Sequence, residues 1–241
     1  MILIDIGNTR IKWAEQHAGK LGNMHAILHI DNNIDGLLIT AWQKLSRPEK
    51  IYLACVSSVA IKLQVISVAQ QLWPDISIQE LRTEKHALGV SNAYPQYSKL
   101  GVDRWLSMLA AYNSYSSPVC IIAFGTAITL DIVNQQGQHL GGMIMPGLNL
   151  MKHALSKATA NLSFCAQQYP QGLANDTEAA IYNGNLNAIK GFIEQGLASS
   201  ELHLQLVLTG GDAKFISETL GLEAAIDEQL VLKGLALIAN G

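Results

Sequence analysis

Charge is scarce in this chain. Only 15% of its 241 residues are Asp, Glu, Lys or Arg, and 16 basic residues against 19 acidic ones leave a formal net charge of -3. Such a balance makes no positive field that would gather phosphate backbones, so nucleic-acid binding by bulk charge is excluded and at most a local basic pocket remains. Cysteine is equally sparse: Cys55, Cys120 and Cys165 are odd in number, far apart, and have no C-x-x-C or Cys/His spacing that could hold zinc. A reducing compartment fits best. The opening MILIDIGNTRIKW has no basic stretch before its apolar run, and Asp5 interrupts that run, so it does not read as a secretory signal. No segment approaches the roughly 18 uninterrupted apolar residues of a membrane span. The expectation is a soluble, cytoplasmic protein with no nucleic-acid or membrane partner. What is plentiful is apolar sequence, 49% of residues, which excludes collagen-like, coiled-coil and disordered chains. The length allows one wide domain or two lobes of about 110 to 120 residues.

Residues 1–6 are apolar and β-branched except for Asp5, and after Gly7-Asn8-Thr9 an alternation of period two resumes at Arg10. This predicts a strand, a tight turn and a second strand. A third strand follows over 24–30. Helix, strand, helix and strand are expected over 36–45, 50–56, 59–73 and 76–81. Periodicity fails from 84 to 97, where Gly89, Asn92 and Pro95 mark a loop; 99–115 then carries Leu100, Trp105, Leu109 and Tyr112 at helical spacing. Ser116-Ser117-Pro118 reads as a lobe boundary, giving lobes 1–116 and 117–241. Beyond it, CIIAFGTAITLDIV repeats the strand, turn and strand of the opening with Gly125 over Gly7, and a third strand is expected over 138–145. Helices after Gly147, over 174–198 and over 231–239, and a strand over 204–209, complete the pattern. Any two hairpins share such a signature, but equivalent placement at the start of each half favours two related lobes.

Three short stretches carry candidate chemistry. Asp5-Ile6-Gly7-Asn8-Thr9 sets a carboxylate at the end of a buried strand, then a glycine that lets a ligand approach the backbone, then small donors. Backbone N–H groups here, with Asn8, Thr9, Arg10 and Lys12, could cradle a phosphate while Asp5 holds Mg²⁺ or its waters; a plain capped hairpin fits the same letters. Leu208-Thr209-Gly210-Gly211-Asp212 follows an apolar strand and precedes a helix, where paired glycines admit a ring or a phosphate, or simply make a turn. Gly101-Val102-Asp103-Arg104-Trp105 opens a helix with an acid beside a base. Asp103 could take a proton from a hydroxyl while Arg104 binds an anion, or the pair could serve the helix dipole and a surface ion pair. The seven histidines are scattered without zinc-protease spacing, and neither a Walker loop, a Rossmann fingerprint nor a G-x-S-x-G elbow is present.

Together these motifs resemble the type III pantothenate kinases, bacterial enzymes that phosphorylate pantothenate in the first step of coenzyme A synthesis. The resemblance spans essentially the whole chain and rests on DIGNTRIKWA at 5–14, Tyr94 with GVDRW ending at Trp105, GTAITLD at 125–131, GGMIMPGL at 141–148, Thr177 in NDTEAAIYNG, TGGDA at 209–213 and LVLKGLALIA at 230–239. It implies an α/β fold of two actin-like (ribonuclease H-like) lobes, each a mixed sheet flanked by helices, with ATP in the cleft between them. It implies ATP binding by Asp5, Ile6, Gly7, Asn8, Thr9, Arg10, Ile11 and Lys12, by Thr126, and by Gly210 and Gly211. Pantothenate binding is implied for Tyr94, Gly101, Val102, Asp103, Arg104 and Thr177, with Asp103 as the base for the 4′ hydroxyl. A homodimer is implied as well, which would account for apolar faces on 98–115 and 178–198.

One position departs from the family. Most members carry an Asp two residues before the Gly of the second turn, where it helps bind K⁺ or NH₄⁺; this chain reads Ala123-Phe124-Gly125. A methyl group ligates no cation, so a weak or absent K⁺ requirement is expected. Two other readings use the same residues: a non-catalytic accessory or regulatory relative, and a different small-molecule kinase on the same fold.

Overall fold

The structure, a computed structural model, describes residues 1–29, 33–158 and 167–241. Along the chain these form β1 (Ile2–Ile6), β2 (Arg10–His17), β3 (Lys20–Leu21), β4 (His25–Leu28), α1 (Ile34–Trp42), β5 (Lys50–Cys55), α2 (Val59–Leu72), β6 (Ser77–Glu80), β7 (His86–Ala87), β8 (Val90–Ser91), a 3₁₀ turn (Tyr97–Lys99) and α3 (Val102–Ser114). Then come β9 (Val119–Phe124), β10 (Ala127–Val133), β11 (His139–Pro146), α4 (Leu148–Ala158), α5 (Thr177–Ala198), β12 (Gln205–Thr209), α6 (Ala213–Leu220), β13 (Ala225–Ile226) and α7 (Leu230–Asn240). Cys165 and Ile30, the last residue of the expected third strand, lie outside the described residues.

Two compact units divide the chain. Unit 1 holds Met1–Tyr115, Gln135–His139 and Gln229–Gly241; unit 2 holds Ser116–Asn134 and Leu140–Glu228. The expected division at 116/117 assigned everything after it to the second lobe, whereas the last helix lies in unit 1. The reason is packing: α7 lies along α3 and against β1, and buries Leu230, Leu232, Leu235 and Ala236.

In unit 1 the sheet runs β3-β2-β1-β5-β6, with β4 also on β2. All five residues of β1 are buried, because it is central, antiparallel to β2 and parallel to β5. One face, with Ile2, Ile4, Ile6, Ile51 and Leu53, packs with Leu38, Trp42, Val65, Val68 and Trp73 of the α1 and α2 layer. Strand alternation turns Leu3 and Asp5 to the opposite face. Asn33 starts α1 by accepting from the Gly36 N–H at 3.1 Å, and Ser58 starts α2 in the same way. The expected loop over 84–97 contains a small hairpin, β7 paired with β8, turning through Leu88 and Gly89, both at positive φ. Leu at the first of these positions hid the turn, which normally advertises itself with Asn or Asp.

Unit 2 has the sheet order β11-β10-β9-β12-β13. Its central β9 again has an antiparallel neighbour on one side, β10, and a parallel one on the other, β12. Ile122, Phe124, Ile128, Leu130 and Leu208 pack with Tyr182, Leu186, Ile189, Ile193 and Ile216 of α5 and α6. Asp176 caps α5, its Oδ1 accepting from Ala179 N–H at 2.9 Å, so this helix begins at 177 rather than 174. α5 buries Tyr182, Leu186, Ile189 and Ile193, and in unit 1 α3 buries Trp105, Leu106, Met108 and Leu109. The exposed large apolar side chains of unit 2 include Leu140 and Ile144 on β11 and Leu150 on α4.

The internal echo holds for the topology and slips by one residue in register. Ile6 faces Ile11 across the first turn, but Phe124 faces Ile128 across the second. The second turn is thus one residue shorter, closed by Gly125 N–H to Ala127 O at 3.1 Å where the first is closed by Gly7 N–H to Arg10 O at 3.0 Å. The shortening keeps Ile128 and Leu130 on the core face, since a one-residue slip without it would have turned them outward.

Candidate functional site

The expected site residues are divided between the two units. In unit 1, Asp5 sits at the carboxyl end of β1, paired across the sheet with Lys12 of β2 and with Ala54 of β5. It is 7% exposed. Burial pushes its carboxyl from 3.8 up to about 7, with Lys12 pulling it back and the charge of Asp103 adding to the rise. Asp5 and Asp103 are therefore close enough to feel each other although 98 positions apart in the chain. Val56 extends the β1–β5 pairing with an N–H to Ile6 O bond of 3.0 Å.

The turn after β1 leaves Asn8 and Arg10 exposed, and Gly7 and Thr9 half-buried. Ile6 and Ile11 point into the core, so they have backbone but no side chain to offer a ligand. Opposite-charge electrostatics and backbone N–H groups therefore reside in the same short stretch as the buried carboxylate.

α3 supplies the other half of this cluster. It starts at Val102 rather than 99, because Gly101 is its N-cap and the preceding residues form the separate 3₁₀ turn. Asp103 thus falls in the first helical turn, where its Oδ1 accepts the Arg104 N–H at 2.8 Å. A side chain at 101 would put its Cβ 2.6 Å from that Oδ1, so glycine there leaves the carboxylate its place. Arg104 is buried, and its Nη1 donates to the Tyr94 hydroxyl at 3.2 Å, the guanidinium also lying 5.9 Å from the Tyr94 ring. The structure brings Tyr94, Gly101, Asp103 and Arg104 together; Val102 is buried with its side chain in the core.

Two histidines complete the picture, and no sequence pattern marked them. His139 is buried, stacks on Tyr94 at 6.1 Å between centroids and 12° between planes, and accepts the Ala93 N–H on Nδ1 at 3.4 Å. His29 is buried against the first turn, with Nε2 2.8 Å from Gly7 O. Both contacts join residues more than 20 positions apart, which only strand pairing reveals.

In unit 2, Thr126 sits in the turn after β9, and its carbonyl accepts the Gly147 N–H at 2.9 Å. Gly210 comes to the same strand end. It adopts φ +96°, and a Cβ there would stand 2.3 Å from Phe124 O, so the close approach of the two backbones requires glycine on both counts. Asp212 N–H donates to Phe124 O at 3.2 Å. Gly211 lines an open cleft of about 580 Å³ with Lys214, Phe215, Glu218 and Glu228. Thr177 is exposed in the first turn of α5. Ala123, in β9, is flanked by Thr129 of β10 and Thr209 of β12.

No group of three or more His, Cys, Asp or Glu residues suited to a metal occurs among the described residues. Asp5 nevertheless suits Mg²⁺: it is an oxygen donor whose ionised form is disfavoured by burial and by Asp103, a penalty that a divalent cation would relieve. Mg²⁺ commonly takes one or two carboxylates and fills its remaining positions with waters and phosphate oxygens.

The family model of the type III pantothenate kinases matches residues 1–199. A type III pantothenate kinase of Nitrosococcus oceani is 34% identical over 250 aligned positions, covering 100% of this chain and 94% of that protein. The chain belongs to the type III pantothenate kinase family. Similarity to solved structures shows the fold: a conserved protein of Campylobacter jejuni assigned to the Baf family of transcriptional activators superposes with a TM-score of 0.64 at 22% identity, covering 100% of this chain and 98% of that one. An inorganic polyphosphate/ATP-glucomannokinase of Arthrobacter superposes with a TM-score of 0.50 at 12% identity, covering 100% and 98%. The architecture is the mixed α/β fold of actin-like ATPases and sugar kinases, with helices flanking the sheets. The segment matched by the pantothenate kinase model contains the turn after β1, the Tyr94–Arg104 cluster, Thr126 and Thr177, and ends before Gly210 and Gly211.

Proposed function

We propose that this chain transfers the γ-phosphoryl group of ATP to the 4′ hydroxyl of pantothenate, the first step of coenzyme A synthesis, with Asp103 as the general base. The observation that carries this reading is the Asp103 carboxylate, held at the start of α3 by the Arg104 N–H and within electrostatic reach of the buried Asp5 beside the Gly7 turn. The hydroxyl oxygen attacks the γ-phosphorus, the bond from that phosphorus to the β–γ bridging oxygen breaks, ADP leaves, and the hydroxyl proton passes to an Asp103 oxygen. Phosphoryl transfer asks the protein mainly for positioning and charge stabilisation. Backbone N–H groups and the side chains of Asn8, Thr9, Arg10 and Lys12 would hold phosphate oxygens. Mg²⁺, held through Asp5, would neutralise charge on the phosphates. Arg104, braced by Tyr94, would bind the pantothenate carboxylate. Thr126, Gly210 and Gly211 are the nucleotide contacts assigned to unit 2, and Thr177 is its pantothenate contact. The working form is a homodimer, and substrates of this kind place the reaction in the cytoplasm.

Incubation of the purified chain with ATP, Mg²⁺ and pantothenate is expected to yield 4′-phosphopantothenate and ADP in equal amounts. No product with K⁺ or NH₄⁺ present or absent would overturn the assignment in favour of an accessory role; transfer to another alcohol instead would show a different small-molecule kinase.

A monovalent cation is not required in this reading. Ala123, between Thr129 and Thr209, has no carboxylate to hold K⁺. Rates with and without K⁺ are expected to differ by less than about tenfold, the effect of roughly 1.4 kcal/mol on the barrier, and a larger K⁺ dependence would refute it.

A further inference from the structure

We propose that His29 is a positioning residue for ATP, fixing the direction in which the turn after β1 presents its N–H groups; this rests on the reading of that turn as the phosphate site. Leu28 pairs with Arg10 through β4 and β2, which delivers the next residue, His29, to the back of the turn. There it makes two bonds. Its backbone N–H donates to Thr9 O at 3.1 Å, and its ring Nε2 lies 2.8 Å from Gly7 O. A carbonyl can only accept, so Nε2 carries the proton and donates.

Two of the turn's peptide carbonyls, Gly7 O and Thr9 O, are thereby drawn toward His29. In a trans peptide the N–H points opposite to the C=O, and the cis bond among the described residues is Ser117–Pro118, elsewhere in the chain. The N–H groups of Asn8 and Arg10 consequently point away from His29, which leaves them free to converge on an anion on the other side. Donation to Gly7 O also polarises the Gly7–Asn8 amide and strengthens its N–H as a donor. His29 as a residue is 8% exposed, so water does not readily replace its side chain. With Gly7 N–H already bonded to Arg10 O, removing His29 would leave the Gly7–Asn8 peptide plane with nothing to set its direction on the β4 side.

Two variants separate this role from simple packing. His29→Met keeps bulk and loses the donor; His29→Gln places an amide nitrogen where Nε2 stands. The Met variant is expected to raise both KM for ATP and the calorimetric Kd for Mg²⁺-ATP roughly fivefold, the equivalent of one hydrogen bond. Its kcat and KM for pantothenate should stay within about twofold, on the same estimate. The Gln variant is expected to recover ATP affinity. A merely structural role would instead lower the active fraction, and therefore kcat, and would not distinguish Gln from Met. Unchanged ATP affinity in a folded Met variant overturns the proposal while leaving the kinase reading intact; a parent protein that fails to bind ATP overturns both. If the Met variant does not fold, His29→Gln and His29→Asn decide the matter: the shorter Asn amide should bind ATP more weakly, and equal affinities refute the role.

Discussion

Replacing Asp103 with Asn is expected to lower kcat by roughly a hundred- to ten-thousand-fold, the span over which a positioned general base contributes. The substitution is mild in structural terms. Asn retains an Oδ1 that can accept the Arg104 N–H, the bond Asp103 makes at 2.8 Å, and it occupies the same space beside Gly101. Folding and the melting temperature should therefore be close to those of the parent. What disappears is the basic oxygen, together with a negative charge that now helps to raise the Asp5 pKa. If Asp103 takes the proton, the variant should bind pantothenate and ATP with near-parent affinity and fail at transfer. A folded Asn variant with parental turnover would remove Asp103 from the base role. Loss of pantothenate affinity without loss of kcat at saturation would reassign it to binding.

The elements of this site differed in how plainly the sequence showed them. The two hairpins at 1–13 and 119–133 were legible because alternation and a Gly turn are local properties, and both lie where expected. Their relative register was not, since laying Gly125 on Gly7 carries no information on turn length; the pairing of Ile128 with Phe124 had to be seen. The place of α7 was hidden for a similar reason. Its apolar pattern predicts a buried helix, and nothing in 230–240 says that the surface covering it belongs to α3. The β7–β8 hairpin was masked by Leu88 at positive φ, a position where the usual turn residues would have announced it. Asp103 and Arg104 were legible as an acid and a base opening a helix, whereas the burial of Arg104 against Tyr94 was not. His29 and His139 were illegible. Each makes its contacts across the fold, and a lone histidine among apolar residues looks the same whether or not it braces a loop.

Asp5→Asn is expected to stabilise the ligand-free protein while impairing the enzyme. In the unfolded chain this carboxyl ionises near 3.8; in the native protein burial holds its pKa up at about 7. Between those values the unfolded state has released a proton that the native state still keeps, so unfolding is increasingly favoured as pH rises from about 4 to 7, and above 7 the full penalty of a buried charge applies. Each pKa unit is worth about 1.4 kcal/mol, which sets a ceiling on the order of 4 kcal/mol. Asn does not ionise and escapes the penalty. Denaturant unfolding without nucleotide or divalent cation should show the variant more stable than the parent at pH 8, by up to a few kcal/mol on the same scale, with the gap closing as pH falls toward 4. Parallel stability curves from pH 4 to 8 would show that Asp5 ionises normally. Mg²⁺-ATP should reverse the order, because only the parent has a carboxylate whose buried charge the cation relieves, and the variant should lose roughly 10- to 100-fold in apparent Mg²⁺ affinity during turnover. On the proposed reading, Asp5 lowers the stability of the ligand-free protein because its carboxylate is poorly solvated, with Lys12 compensating in part, and its charge would be best satisfied when the substrate's cation arrives.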